Sequence, residues 1–74
     1  MARLSRILGR QAVSAFERAE FQRRRQRGSH IVLTRPGGSQ TLSVPDHGEV
    51  TMGLLRDLIR KAGLTVEEFV DLVR

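Results

Sequence analysis

The first apolar pattern along the chain has the spacing of an amphipathic helix. The apolar residues that recur three or four positions apart are Leu8, Ala12, Ala15, Phe16 and Ala19. Side chains at this spacing share one face of a helix, and the polar positions between them face water. The pattern therefore predicts a helix over about residues 9–19.

Two later segments, residues 30–35 and 40–44, alternate between two faces as β-strands do. In the first of them, Ile31 and Leu33 share one face, and His30 lies on the opposite face. The Pro-Gly pair between the segments favours a tight turn, because Pro presets one φ and Gly accepts a positive φ. The two segments are predicted to form an antiparallel hairpin.

Residues 21–27 are polar apart from Phe21, and their pattern fits two structures. They form either an edge strand or an extended basic arm, and a Gly28-Ser29 turn follows in both cases. The predicted element order is accordingly α-β-β-β-α-α or α-β-β-α-α.

Two helices are predicted after the hairpin. The apolar stripe of the first consists of Leu54, Leu55, Leu58, Ile59 and Ala62. Thr51 is its predicted N-cap, and Gly63 is its predicted left-handed end. Thr65 and Glu68 have the spacing of a capping box at the start of the second helix. The residues that this last helix is predicted to bury are Val66, Phe69, Val70 and Val73.

Helices that bury their apolar faces against one side of a small antiparallel sheet form a two-layer α+β domain. A chain of 74 residues has room for one such domain, spanning residues 1–74. The other face of the sheet is expected to stay open, and His30 is expected to lie on it.

The charge of the chain is uneven along its length. Thirteen Lys and Arg oppose eight Asp and Glu, and nine of the arginines precede residue 36, where the acids are Glu17 and Glu20. Such a cationic half is typical of surfaces that bind nucleic-acid phosphates or anionic membranes, although a solvated surface can have the same composition. The sequence has no run of about 18 apolar residues, so no membrane span is predicted. No membrane is expected among the partners of the chain.

His30 is the first candidate for chemistry. An imidazole titrates at about pH 6.5, so it can accept a proton from a ribose 2′-OH or donate one to a leaving 5′-oxygen. The candidate RNA-binding residues that precede it are Arg23, Arg24, Arg25, Gln26, Arg27, Gly28 and Ser29. Their donors would hold the scissile phosphate, and the need for a 2′-OH makes RNA the substrate. The alternative is a surface histidine in a solvated basic patch.

His47 is a candidate auxiliary residue at the active site. Its adjacency to Asp46 suits a hydrogen bond within a loop better than a catalytic dyad. The two histidines, at positions 30 and 47, have no Cys to accompany them, so neither a metal site nor a cofactor is predicted.

Several segments, in order along the chain, resemble the HicA (YcfA-like) toxin family. Residues 25–30, R-Q-R-G-S-H, resemble its R-Q-x-G-S-H signature, and residues 44–47, V-P-D-H, resemble its V-P-x-H. Residues 53–64 are similar to the family's G-T-L-R-x-I-L-x-x-A-G-I helix, and residues 9–12 are similar to its opening helix. With the Glu67-Glu68-Phe69 ending, the resemblance covers about residues 9–73.

The resemblance implies the α-β-β-β-α fold of double-stranded-RNA-binding domains with an added end helix, and thus a first strand over residues 21–27. It implies the toxin of a type II toxin–antitoxin system, an endoribonuclease that cleaves mRNA without a metal and uses His30 as general acid or base. It also implies a HicB-type antitoxin that covers the His30 site, in a prokaryotic cytoplasm.

Four residues depart from the family pattern, and one of them is Leu54, which stands in place of the family's helix Thr. Glu20 stands where the family usually has Gly, and a positive φ at this position would cost about 1 kcal/mol for Glu. Arg23 and Arg24 stand where the family tends to carry apolar strand residues. Either the inner face of the first strand is altered, or the cationic surface is extended.

Two other functions are compatible with the sequence. A non-catalytic RNA-binding module of the same fold would use the same arginines and leave bound RNA intact. A pure interaction protein would have no affinity for RNA in the absence of its partner chain.

Overall fold

The computed structural model describes residues 4–74, in which three helices and three strands follow the order α-β-β-β-α-α. The elements are α1 Gly9–Arg18, β1 Gln22–Arg27, β2 His30–Thr34, β3 Thr41–Pro45, α2 Met52–Lys61 and α3 Val66–Val73. The strands form one antiparallel sheet in the order β1-β2-β3. The predicted α+β architecture is confirmed, and the basic segment is a strand rather than an arm.

The core lies between the helices and one face of the sheet. Ile31 and Leu33 of β2 and Leu42 and Val44 of β3 are buried there, as their alternation predicts. The helices and the C-cap residue of α2, Ala62, contribute the rest of this core: Ala12, Val13, Ala15, Phe16, Leu55, Leu58, Ile59, Ala62 and Phe69. We call the opposite face of the sheet, which the helices do not cover, the open face.

Three aromatic rings meet in the middle of this core. The Phe16 ring centroid lies 5.2 Å from that of Phe69 and 6.0 Å from that of Phe21, the second pair edge-to-face. The Arg35 guanidinium lies 4.2 Å from the Phe21 ring centroid, and its Nη2 donates to the Ala19 carbonyl at 3.0 Å. These contacts join the end of α1 to the start of the turn after β2.

Two helix starts differ from the prediction. Leu8 is 44% exposed rather than buried, because it is the extended residue before α1 and lies outside the helical face. Thr51 occupies the N-cap position of α2, and its carbonyl accepts the first helical hydrogen bond from the Leu55 N–H at 2.8 Å, but its side chain makes no capping bond. The capping box of Thr65 and Glu68 is confirmed in both directions.

The last helix buries less than its pattern predicts. Phe69 is fully buried, whereas Val66, Val70 and Val73 are partly exposed. No helix within residues 4–74 combines the length and the apolar character needed to cross a membrane.

Glu20 has the positive φ of 78° that its place in the chain predicts. An L residue with a Cβ costs about 1 kcal/mol in this region relative to Gly. We therefore expect Glu20→Gly to raise the free energy of unfolding by up to about 1 kcal/mol, or about 4–8 °C in Tm. Thermal unfolding followed by circular dichroism measures this change. The matched control Glu17→Gly, inside α1, should instead lower Tm. A lower Tm for Glu20→Gly would show that the backbone of Glu20 is not strained.

Candidate nucleic-acid interface

The pairing of β1 with β2 places two of the arginines on the open face. Residues that pair directly across antiparallel strands share a face of the sheet. Arg27 pairs with His30, and Arg25 pairs with Val32. Both arginines therefore lie beside the strand that carries the imidazole, on the side away from the helices.

Two other predicted RNA-binding residues of the same strand lie on the helix side. Arg23 pairs with buried Leu33, and its Nε is 3.8 Å from Oε2 of Glu17 in α1. Gln26 pairs with buried Ile31. The structure thus does not bring Arg23 and Gln26 together with His30 on the open face.

A β-bulge at Arg24 places Arg23 on the helix side, whereas Gln26 lies there because it alternates with Arg25 and Arg27. The register shifts between Arg23 and Arg25, so the strict alternation that would place both on one face is broken. Arg24 itself donates through Nη1 to Oε1 of Gln22 at 3.3 Å. The bulge turns Arg25 and Arg27 toward the open face and leaves Arg23 with the helices.

The open face contains a depression of about 390 Å³ around the imidazole, which we call the His30 depression. The described residues that line it are Arg25, Arg27, His30, Val32, Thr41 and Ser43. Their charged groups are the two guanidinium groups, so the depression has a positive potential that attracts anions. Its polar rim and partly apolar floor suit a nucleotide better than a hydrocarbon ligand.

His30 is exposed, and the strand pairing fixes its backbone on both sides. It is the first residue of β2 and pairs with Arg27 of β1 and Pro45 of β3. Gly28, with a φ of 59°, allows the tight turn that leads into it. An exposed imidazole held in this way can accept a proton from a hydroxyl group of a bound ligand or donate one to a leaving oxygen.

A comparison with models of protein families matches residues 9–64 to the HicA toxin of bacterial toxin–antitoxin systems. The match covers well over half of the chain and all three strands. The chain belongs to the HicA toxin family. A toxin–antitoxin family implies an antitoxin partner. A search of curated proteins found no match to the chain.

The loop after β3 of this HicA chain is fixed at both ends. The Gly9 N–H donates to the Gly48 carbonyl at 3.0 Å, and Asp46 N–H donates to the Ser29 carbonyl at 2.6 Å. Arg6 Nε donates to Oε1 of Glu49 at 2.9 Å, and this bond lowers the pKa of the Glu49 carboxyl. The loop therefore holds a defined position beside the Gly28-Ser29 turn.

His47 of the HicA chain lies on that loop but outside the lining of the His30 depression. Its side chain is 83% exposed, and Nε2 is 3.8 Å from Oδ2 of Asp46. In the described part of the chain, no three His, Asp or Glu side chains converge as metal ligands would.

Three residues of the His30 depression, Val32, Thr41 and Ser43, were not identified as site residues from the sequence. They belong to strands whose other faces are apolar, and alternation alone places them opposite Leu42 and Val44. The alternation of the strands therefore indicated that these residues lie on the open face. Their small side chains have no distinctive chemistry that would mark them as site residues.

Proposed function

We propose that the chain is the toxin of a type II toxin–antitoxin system in a prokaryotic cytoplasm and that it cleaves mRNA on the open face of its sheet. His30 is the general acid or base of this endoribonuclease. The observation that carries the proposal is the exposed imidazole beside Arg25 and Arg27 in the His30 depression. Membership of the HicA family supports it.

The proposed reaction begins with attack of a ribose 2′-oxygen on the adjacent phosphorus. The bond from phosphorus to the 5′-oxygen of the next nucleotide breaks, which leaves a 2′,3′-cyclic phosphate and a 5′-OH. Neutral His30 accepts the 2′-OH proton, or protonated His30 gives a proton to the leaving oxygen, and water serves the other transfer. Arg25 and Arg27 stabilise the charge that develops on the non-bridging oxygens.

The remaining lining residues fit a nucleotide next to the scissile phosphate. The hydroxyl groups of Thr41 and Ser43 can donate to or accept from the edge of a base or a ribose, whereas Val32 is only 9% exposed and offers a base little apolar surface. Because two short hydroxyl side chains provide few contacts to bases, we expect weak sequence preference at each cleavage site.

The mechanism requires the 2′-OH of the substrate and no metal ion. We expect the purified chain to cleave an end-labelled RNA equally well with and without EDTA. A single 2′-deoxy nucleotide 5′ to a cleaved bond should abolish cleavage at that bond alone, because the attacking oxygen is missing there. Gel analysis and mass spectrometry of the product ends measure both effects. Intact RNA that binds with strong salt dependence would identify a non-catalytic RNA-binding module instead.

The two faces of β1 provide a matched test of the RNA contact. Arg25→Gln and Arg27→Gln should each raise KM and reduce the salt dependence of RNA affinity by about 0.7–0.9 log units per log unit of salt. Arg23→Gln removes the same charge from the same strand but on the helix side, and it should leave both quantities close to wild type. Equal effects of all three substitutions would contradict binding on the open face.

The HicB-type antitoxin is proposed to cover the His30 depression. An effective inhibitor there has to place acceptors against Arg25 and Arg27, because covering two guanidinium groups without partners is costly. Cleavage by the purified complex should be absent and should return when the antitoxin is removed.

A further inference from the structure

The side chain of Gln26 joins two backbone segments next to His30. Its Nε2 donates to the Gly28 carbonyl at 3.2 Å and to Oδ2 of Asp46 at 3.2 Å. We infer that Gln26 is a positioning residue, which holds the turn before His30 against the loop after β3 instead of contacting RNA. The expected effect of Gln26 on catalysis rests on the proposed function, whereas the hydrogen bonds of the bridge do not depend on it.

The chemistry of the amide fits this bridge. A primary amide has two N–H donors, so one Gln can serve the Gly28 carbonyl and the Asp46 carboxylate together. The bond from Asp46 N–H to the Ser29 carbonyl, at 2.6 Å, joins the same two segments. The turn and the loop are therefore linked both by a backbone bond and by the Gln26 bridge.

The turn is closed by the backbone pairing of Arg27 with His30, but its own two residues add few side-chain restraints. Gly28 and Ser29 are exposed, and Gly28 has a φ of 59°, in the left-handed region that glycine adopts without a Cβ penalty. His47 Nε2, at 3.8 Å, is too distant to be the hydrogen-bond partner of Asp46. A displacement of about 1 Å at a catalytic group can cost about 100-fold in rate, so the bridge bears directly on His30.

The location of Gln26 argues against a direct RNA contact. Its partner across the sheet is buried Ile31, so the side chain starts from the helix side. It is not among the described residues that line the His30 depression. Gln26 is exposed, however, so the two roles must be separated by experiment.

The polarity of the bridge can be reversed with two substitutions. Gln26→Glu removes the donor and sets a carboxylate against Asp46, and we expect kcat to fall by about 10- to 100-fold. Asp46→Asn keeps an oxygen acceptor and should leave kcat close to wild type. The double variant has the charge of the wild type, and its Asn can donate to its Glu. It should recover most of kcat, though not the bond to the Gly28 carbonyl.

The control is Gln22→Glu, which adds the same charge to the same strand at a position without a bond to the turn. It should change KM at most. If Gln26→Glu raises KM with kcat unchanged, Gln26 contacts RNA and the inference is wrong. A double variant as slow as Gln26→Glu would also overturn it.

Amide NMR of the free protein tests the bridge without any cleavage assay. In Gln26→Glu we expect the signals of residues 28–30 to shift and broaden, and in the double variant we expect them to return toward wild type. Unchanged signals in Gln26→Glu would overturn the inference even if the wild type cleaves RNA. Perturbed signals with a wild type that does not cleave would instead refute only the proposed function.

Discussion

Replacing His30 with Ala is expected to lower the rate of RNA cleavage by about 10²- to 10⁴-fold, the usual contribution of a general acid or base. Its imidazole is the one histidine side chain that lines the depression among the described residues, and a guanidinium group has only donors and cannot serve as a base. Residual cleavage would come from phosphate binding by Arg25 and Arg27.

The fold should survive this substitution. His30 is exposed, and it pairs with Arg27 and Pro45 through its backbone, so the free energy of unfolding should change by less than about 0.5 kcal/mol. Initial rates on labelled RNA measure the effect, with His47→Ala as the matched control. His47 is outside the depression, and its loss should cost less than about tenfold.

In cells, expression of the wild-type chain without antitoxin should arrest growth, and His30→Ala should relieve the arrest at equal protein level. A His30→Ala protein that cleaves RNA at the wild-type rate would refute the assigned role. If His47→Ala abolishes cleavage and His30→Ala remains active, His47 rather than His30 is the general acid or base.

Gly9→Ala is expected to have the largest effect on stability. A Cβ at Gly9 would lie 1.8 Å from the Pro45 carbonyl oxygen, so either α1 or the end of β3 must move. Overpacking of this kind costs about 3 kcal/mol or more when backbone is the obstacle. A domain of this size gains on the order of 3–5 kcal/mol from its core, so much of the chain should be unfolded.

Helix propensity predicts the opposite sign, which makes this substitution informative. Ala is favoured over Gly in a helix by about 1 kcal/mol, and Gly53→Ala in α2 has no neighbouring atom within 4 Å of the added Cβ. We expect Gly53→Ala to keep or raise the urea midpoint and Gly9→Ala to lower it sharply. Similar midpoints for the two variants would show that α1 is not packed closely against β3.

The same contact connects stability with catalysis. Pro45 pairs with His30, so a shift of the Pro45 carbonyl reaches the strand that carries the imidazole. Any Gly9→Ala protein that remains folded at low temperature should therefore also cleave RNA more slowly than wild type.

The elements with an apolar face were predictable from the sequence. Ile31 and Leu33 alternate with His30 and Val32, and helical spacing places Phe16 and Phe69 inside. β1 has no such pattern, because every one of its residues is exposed. It is a strand through its backbone pairing with β2, and the family resemblance indicated it where periodicity did not.

The site was predictable in part. Alternation placed His30 on the open face, but the bulge at Arg24 depends on the register between two strands, which a single sequence does not reveal. The arginines of β1 therefore looked equivalent, although the structure directs Arg23 toward Glu17. The approach of Gly9 to Pro45 joins residues far apart in sequence and was equally hidden.

Binding of RNA to the open face is tested most directly by amide NMR of the wild-type chain with an RNA oligonucleotide made uncleavable by 2′-deoxy substitution. We expect the largest amide shifts at Arg25, Arg27, His30, Val32 and Ser43. The amide signal of Arg23 should shift much less, because Arg23 lies on the helix side of the sheet. Shifts confined to the helices, with the His30 depression unchanged, would contradict the account.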